Sequence, residues 1–118
     1  MGVGYLLVNH TRREQVRFAH LPASTATELA GNPIPAAVTT WYLIRHSGEQ
    51  IAFVSDTYGD WPFPSGSPAD VAGYPDVTDD IVTQLIEARI LRDDGIAWAD
   101  ETEPQAVYMR ALKNVWME

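Results

Sequence analysis

No cysteine occurs anywhere in the chain, so apolar burial and hydrogen bonding alone must hold it folded. Disulfides, thiolate metal sites and cysteine nucleophiles are excluded together. The burden falls on a core drawn from 118 residues. A chain of that length buries roughly two-thirds of its unfolded surface, enough for one core and too little for two, so a single domain over 1–118 is expected. Apolar residues make up 46% of the chain and charged residues 20%, the balance of a globular protein.

The hydrophobic pattern changes period along the chain. Residues 3–9 and 15–21 alternate, with Val3, Tyr5 and Leu7 on one face of the first run and Val16, Phe18 and His20 on one face of the second. The polar Thr11-Arg12-Arg13-Glu14 between them predicts an antiparallel hairpin that opens the fold. Ser24 is the expected cap of a short helix closed by Gly31, and Asn32-Pro33 reads as cap and first position of another. Ile34, Ala37, Val38 and Trp41 then recur at helical spacing. A strand over residues 38–45 is the competing reading, because that run is rich in β-branched and aromatic residues and Ser47-Gly48-Glu49 would turn it into Ile51–Ser55.

Residues 56–76 hold four prolines and three glycines, which forbids regular structure over most of the segment. Its Tyr58, Trp61 and Phe63 either fold inward as a lid over the core or stand out as rigid aromatic anchors. Beyond it, Thr78 reads as a helix cap, with Ile81, Val82, Leu85, Ile86 and Arg89 following at helical spacing and Asp93-Asp94-Gly95 at the far end. Ile96–Ala99 reads as a short strand. Thr102 or Glu103 before Pro104 predicts a last helix with Tyr108, Ala111, Leu112, Val115 and Trp116 on its apolar side. Strands in front, helices behind and no βαβ alternation predict an α+β fold: a small antiparallel sheet with about four helices and one long loop.

Charge narrows the partner class. The net charge is −8. Residues 1–75 carry six acids and four bases, whereas residues 76–118 carry ten acids and four bases. Gripping a nucleic-acid backbone or an anionic membrane requires clustered Lys and Arg, so neither is an expected partner, and a basic protein is. Met1–Val8 has no basic segment ahead of its apolar run, unlike a signal peptide, and no stretch approaches the roughly 20 apolar residues of a membrane span. The expected compartment is the cytoplasm.

Signatures of catalysis and metal binding fail on inspection. Ser65-Gly66-Ser67 has Pro64 where G-x-S-x-G requires glycine. Gly2-Val3-Gly4 precedes a strand, whereas phosphate-binding glycines follow one. Asp93 to Glu103 lacks the register of a calcium loop. No spacing singles out His10, His20 or His46, and no cofactor is called for. The expected function is therefore a non-enzymatic, inhibitor- or immunity-like protein that docks on a basic surface through Tyr58, Asp60, Trp61, Phe63, Asp93, Asp94, Asp100 and Glu101. Asp93 and Asp94 carry particular interest here, since a helix C-terminus disfavours negative charge. The alternative is a small enzyme or small-molecule binder whose pocket lies beneath the 56–76 loop, with Asp56, Tyr58 and Asp60 as polar groups and Trp61 as a wall. A third reading is a homodimer through Trp116 and Met117.

Overall fold

A three-stranded antiparallel sheet organises the chain in the computed structural model, which describes residues 3–21, 23–57 and 61–117. β1 (Tyr5–Asn9) lies in the centre, between β2 (Glu14–Val16) and β3 (Ile51–Ser55). The expected hairpin is present: Asn9 Oδ1 accepts the Arg12 N–H at 3.0 Å and Arg13 turns the chain at φ 56°. Register puts Leu7 opposite both Val16 and Phe53, and Val8 opposite Gln15 and Ala52. Successive residues of a strand face opposite sides, so Leu7 and Val8 belong to different layers. β2 stops at Val16 instead of running to residue 21, because Phe18 and His20 adopt left-handed φ values of 58° and 64°. That kink, uncommon for side-chain-bearing residues, still buries Phe18 and sends its N–H to Thr78 Oγ1 at 3.1 Å.

Three helices follow from local capping. Thr25, rather than Ser24, caps α1 (Ala26–Gly31) in a capping box with Glu28, satisfying amides that have no partner inside the helix. Asn32 Oδ1 accepts the Ile34 N–H at 3.0 Å at the start of α2 (Pro33–Arg45), and Pro33 occupies the first turn. Residues 36–45 are therefore helical, and the strand alternative falls; Ile34, Val38 and Tyr42 form the buried side. Asp76 Oδ1 accepts both the backbone N–H and the hydroxyl of Thr78 where α4 (Thr78–Glu87) begins, so Thr78 is the first helical residue and not the cap. Between them comes α3 (Pro68–Val71), one turn long. α4 ends earlier than its apolar stripe suggests, and Arg89 leaves it at φ 61°.

The C-terminal third corrects the sequence reading. β4 (Leu91–Ala99) pairs antiparallel with β5 (Tyr108–Asn114), and only a short 3₁₀ turn, Val115–Met117, replaces the expected last helix. Asp93 and Asp94 thus sit in a strand. β4 is irregular on both sides of Ile96, with Gly95 at φ 98°, so its side chains do not alternate cleanly. Leu91 and Leu112 anchor the hairpin by joining Leu7, Val16, Val38, Tyr42, Val82 and Leu85 in one apolar cluster. The Arg110 N–H donates to His20 O at 2.9 Å, and the His20 ring stacks on Tyr108 at 3.8 Å, tying the left-handed segment to β5.

The opposite face of the sheet is covered by the proline-rich segment. Val8, Val54, Phe63 and Val71 form a second cluster, with Trp61 and Tyr74 packed against it. The buried Gln15 side chain donates to Val71 O and Tyr74 O, and its backbone bonds residues 75 and 77. Helices α1, α2 and α4 and the β4–β5 hairpin thus pack on one side of the sheet, and the 61–76 segment with α3 on the other. The outer edge of β3 pairs with no strand among the described residues.

Candidate functional site

Tyr58 and Asp60 lie outside the described residues. Of the other aromatic candidates, Phe63 is 9% exposed within the second cluster and Trp61 is half-buried beside it, its Nε1–H donating to Ser65 O at 2.8 Å. The segment folds inward here, as a lid. Asp93, Asp94, Asp100 and Glu101 belong to the β4–β5 hairpin and the turn beyond β4. Trp61 and Phe63 therefore sit on the opposite side of the central sheet from the hairpin that carries Asp93, Asp94, Asp100 and Glu101, and do not form one patch with them.

Most of these acids already have partners. Asp93 Oδ2 accepts from Arg110 at 3.2 Å, and Arg110 reaches Asp79 at 3.4 Å. Asp94 accepts from Arg92 Nε at 2.9 Å, a bond that holds its carboxyl below the ordinary range. The unfavourable helix end that made this pair conspicuous in the sequence does not exist, since both residues are in β4. Asp100 folds back on the Thr102 hydroxyl and on the amides of Thr102 and Glu103, and those bonds lower its pKa. Exposed ion pairs of this kind add little stability. Glu101 and Glu103 extend from the turn with no side-chain partner among the described residues.

What the sequence did not single out is the apolar surface beside that acidic turn. Eight of the nine residues of β4 are exposed. Ile96 is 59% exposed and Trp98 53%, with Val107 exposed just before β5. Ile96 lies opposite Arg110 and Trp98 opposite Met109, successive residues of β5, so the two face opposite sides of the hairpin. The half of the hairpin beyond its Leu91–Leu112 anchor thus exposes Trp98 on one face and Ile96 on the other, with the unpaired carboxylates of Glu101 and Glu103 in the turn that follows β4.

Two other arrangements stand out. Where α2 ends above the β1–β2 turn, the buried Asn9 donates to Tyr42 Oη at 3.0 Å and to Glu49 Oε1 at 2.9 Å. Glu49 also accepts Arg12 Nε on both oxygens and lies 3.1 Å from His46 Nδ1. Asn9 first and Arg12 second hold the Glu49 carboxyl below its ordinary pKa. Tyr42 in turn donates to Glu14 Oε2. Burial, and then that bond, push the phenol above its ordinary value. The network is satisfied and ties the turn to the helix.

On the other face, beneath the 61–76 segment, lies a cavity of about 600 Å³ bordered by His10, Arg13, Ser65, Asp70 and Tyr74. A pocket under this loop is what the small-molecule reading expects, but different residues line it. Asp56 is elsewhere, its Oδ2 accepting the Gly4 N–H at 3.2 Å. No family profile, no curated protein and no solved structure matches this chain.

Proposed function

We propose that this chain is an acidic protein-binding module that docks on a basic surface of a partner protein through the outer half of its β4–β5 hairpin. One observation carries the reading: Trp98 and Ile96 stand more than half exposed on a strand pair whose turn holds Glu101 and Glu103 unpaired. An aromatic anchor ringed by charge is the common composition of an interface centre and rim. The net charge of −8 selects a basic partner and speeds its approach. An inhibitor- or immunity-like role, in which the hairpin covers a cationic site on an enzyme, fits this surface. The same charge argues against nucleic acid and anionic membrane. No helix among the described residues is long and apolar enough to cross a membrane.

A photo-crosslinking amino acid at position 98, used in cell lysate at low and moderate salt, tests the reading. The same probe at Ala69, on α3 across the sheet, is the control. The expected result is one basic protein crosslinked from position 98 only, and lost from a Glu101→Lys/Glu103→Lys variant. With that partner in hand, Trp98→Ala should weaken binding by about 30-fold, the loss of about 2 kcal/mol typical of a central anchor. Equal capture from both positions, or none at either salt, overturns the proposal.

A further inference from the structure

The cavity beneath the 61–76 segment carries a second chemistry, independent of the hairpin. We infer that Ser65 is a nucleophile and His10 its general base, in a site open to small activated esters. The two residues are 55 apart in sequence, yet Ser65 Oγ lies 3.0 Å from His10 Nε2. That is within the 2.6–3.2 Å or so at which a base can take a hydroxyl proton.

The pair is positioned by the lid. His10 follows β1 directly, and its N–H donates to Gln50 O at 2.8 Å. Its ring stacks on Phe63 at 4.9 Å and 15°, with the edge of Trp61 at 6.3 Å. His10 Nδ1 is buried and has no hydrogen-bond partner among the described residues, so aromatic packing orients the imidazole where a carboxylate commonly does. Trp61 holds the other member by bonding Ser65 O. The ring is thus fixed without help from Ser65, and the exposed hydroxyl could equally bond water. In the tautomer that carries its proton on Nδ1, His10 Nε2 is an acceptor held 3.0 Å from the serine oxygen.

Gly66 makes the approach possible. It has φ 78°, and a Cβ there would lie 3.1 Å from both His10 Cε1 and Asp70 Oδ2. A side chain there would be strained by that φ and would press the imidazole or the Asp70 carboxylate back by a few tenths of an ångström. Asp70 is held in turn by the Ser67 N–H at 2.9 Å. The cavity of about 600 Å³ falls within the range of small-molecule sites.

The reaction balances with water as the only co-reactant. Ser65 Oγ attacks the ester carbonyl carbon while His10 Nε2 takes the hydroxyl proton. The carbon–oxygen bond to the alcohol then breaks, and the alcohol leaves with that proton. Water attacks the acyl-serine, His10 takes one water proton and returns it to Ser65 Oγ, and a carboxylic acid departs.

The test uses a fluorophosphonate probe with peptide mapping, beside p-nitrophenyl acetate hydrolysis by the full chain. Label is expected on Ser65, with both readouts abolished in Ser65→Ala and unchanged in Ser24→Ala, a serine whose carbonyl accepts the Tyr5 N–H at the other end of β1 from His10. His10→Gln should slow both by about 100-fold, the low end of what general-base catalysis contributes. Should His10→Gln fail to fold, the wild-type and Ser65→Ala arms decide alone. No label on the folded protein, label on another residue, or equal labelling after heat denaturation overturns the inference.

Discussion

Asn9 shows how much one buried polar residue can organise. Its amide joins Tyr42 of α2 to Glu49 of the following turn, and its oxygen closes the β1–β2 turn at Arg12. The titrating members of this network bracket the pH range of stability. The Glu49 carboxyl titrates below its ordinary 4.5 in the folded chain. Its contribution is present above pH 4.5 and fades as pH falls through the lower, folded-state value. Tyr42 titrates above its ordinary 10.0, so its contribution is complete below that pH and is lost as pH rises through the folded-state value. Urea midpoints measured across pH should therefore fall at both extremes. Tyr42→Phe should flatten the alkaline limb and Glu49→Gln the acid limb; an unchanged limb in either variant refutes the assignment.

At the scale of elements, the chain divides by how local its instructions are. The β1–β2 hairpin, α2 and α4 were legible because a turn, an Asn-Pro cap and an apolar stripe each lie within a dozen residues. Of the C-terminal hairpin only Ile96–Ala99, the end of β4, read as strand. Tyr108, Ala111, Leu112, Val115 and Trp116 match a helical stripe by spacing, but pairing with β4 overrides it. The irregularities around Ile96 also erase the two-residue period that would have extended that strand back to Leu91. The His10–Ser65 pair was illegible for a different reason: only the fold of the lid brings residues 55 apart together. Hydrogen exchange should follow the same division. β1, paired on both edges and covered on both faces, should exchange slowest, while β4 and β5 beyond Asp93 should exchange by local opening. Leu91 and Leu112 are their only buried core residues, and the ties of Tyr108 and Arg110 to His20 are few. Equal protection of both sheets would contradict this.

For the whole molecule, the sheet acts as a partition. The β4–β5 hairpin and helices α1, α2 and α4 occupy one side, and the 61–76 segment with its open pocket the other. Distant sites with no shared partner behave additively. Trp98→Ala should leave the fluorophosphonate labelling rate of Ser65 unchanged, and Ser65→Ala should leave partner affinity within twofold; coupling in either direction would show that the partition transmits. The same sheet has one margin left over. β3, Ile-Ala-Phe-Val-Ser, turns its outer N–H and C=O groups toward no strand among the described residues, and its Phe53 is partly exposed. Such a margin is a template for in-register addition of further extended segments, the route by which soluble chains enter fibrils. The −8 charge opposes that route through repulsion between copies, and salt that screens it removes the protection. Concentrated, high-salt storage is thus the condition in which this fold is most exposed to ordered self-assembly.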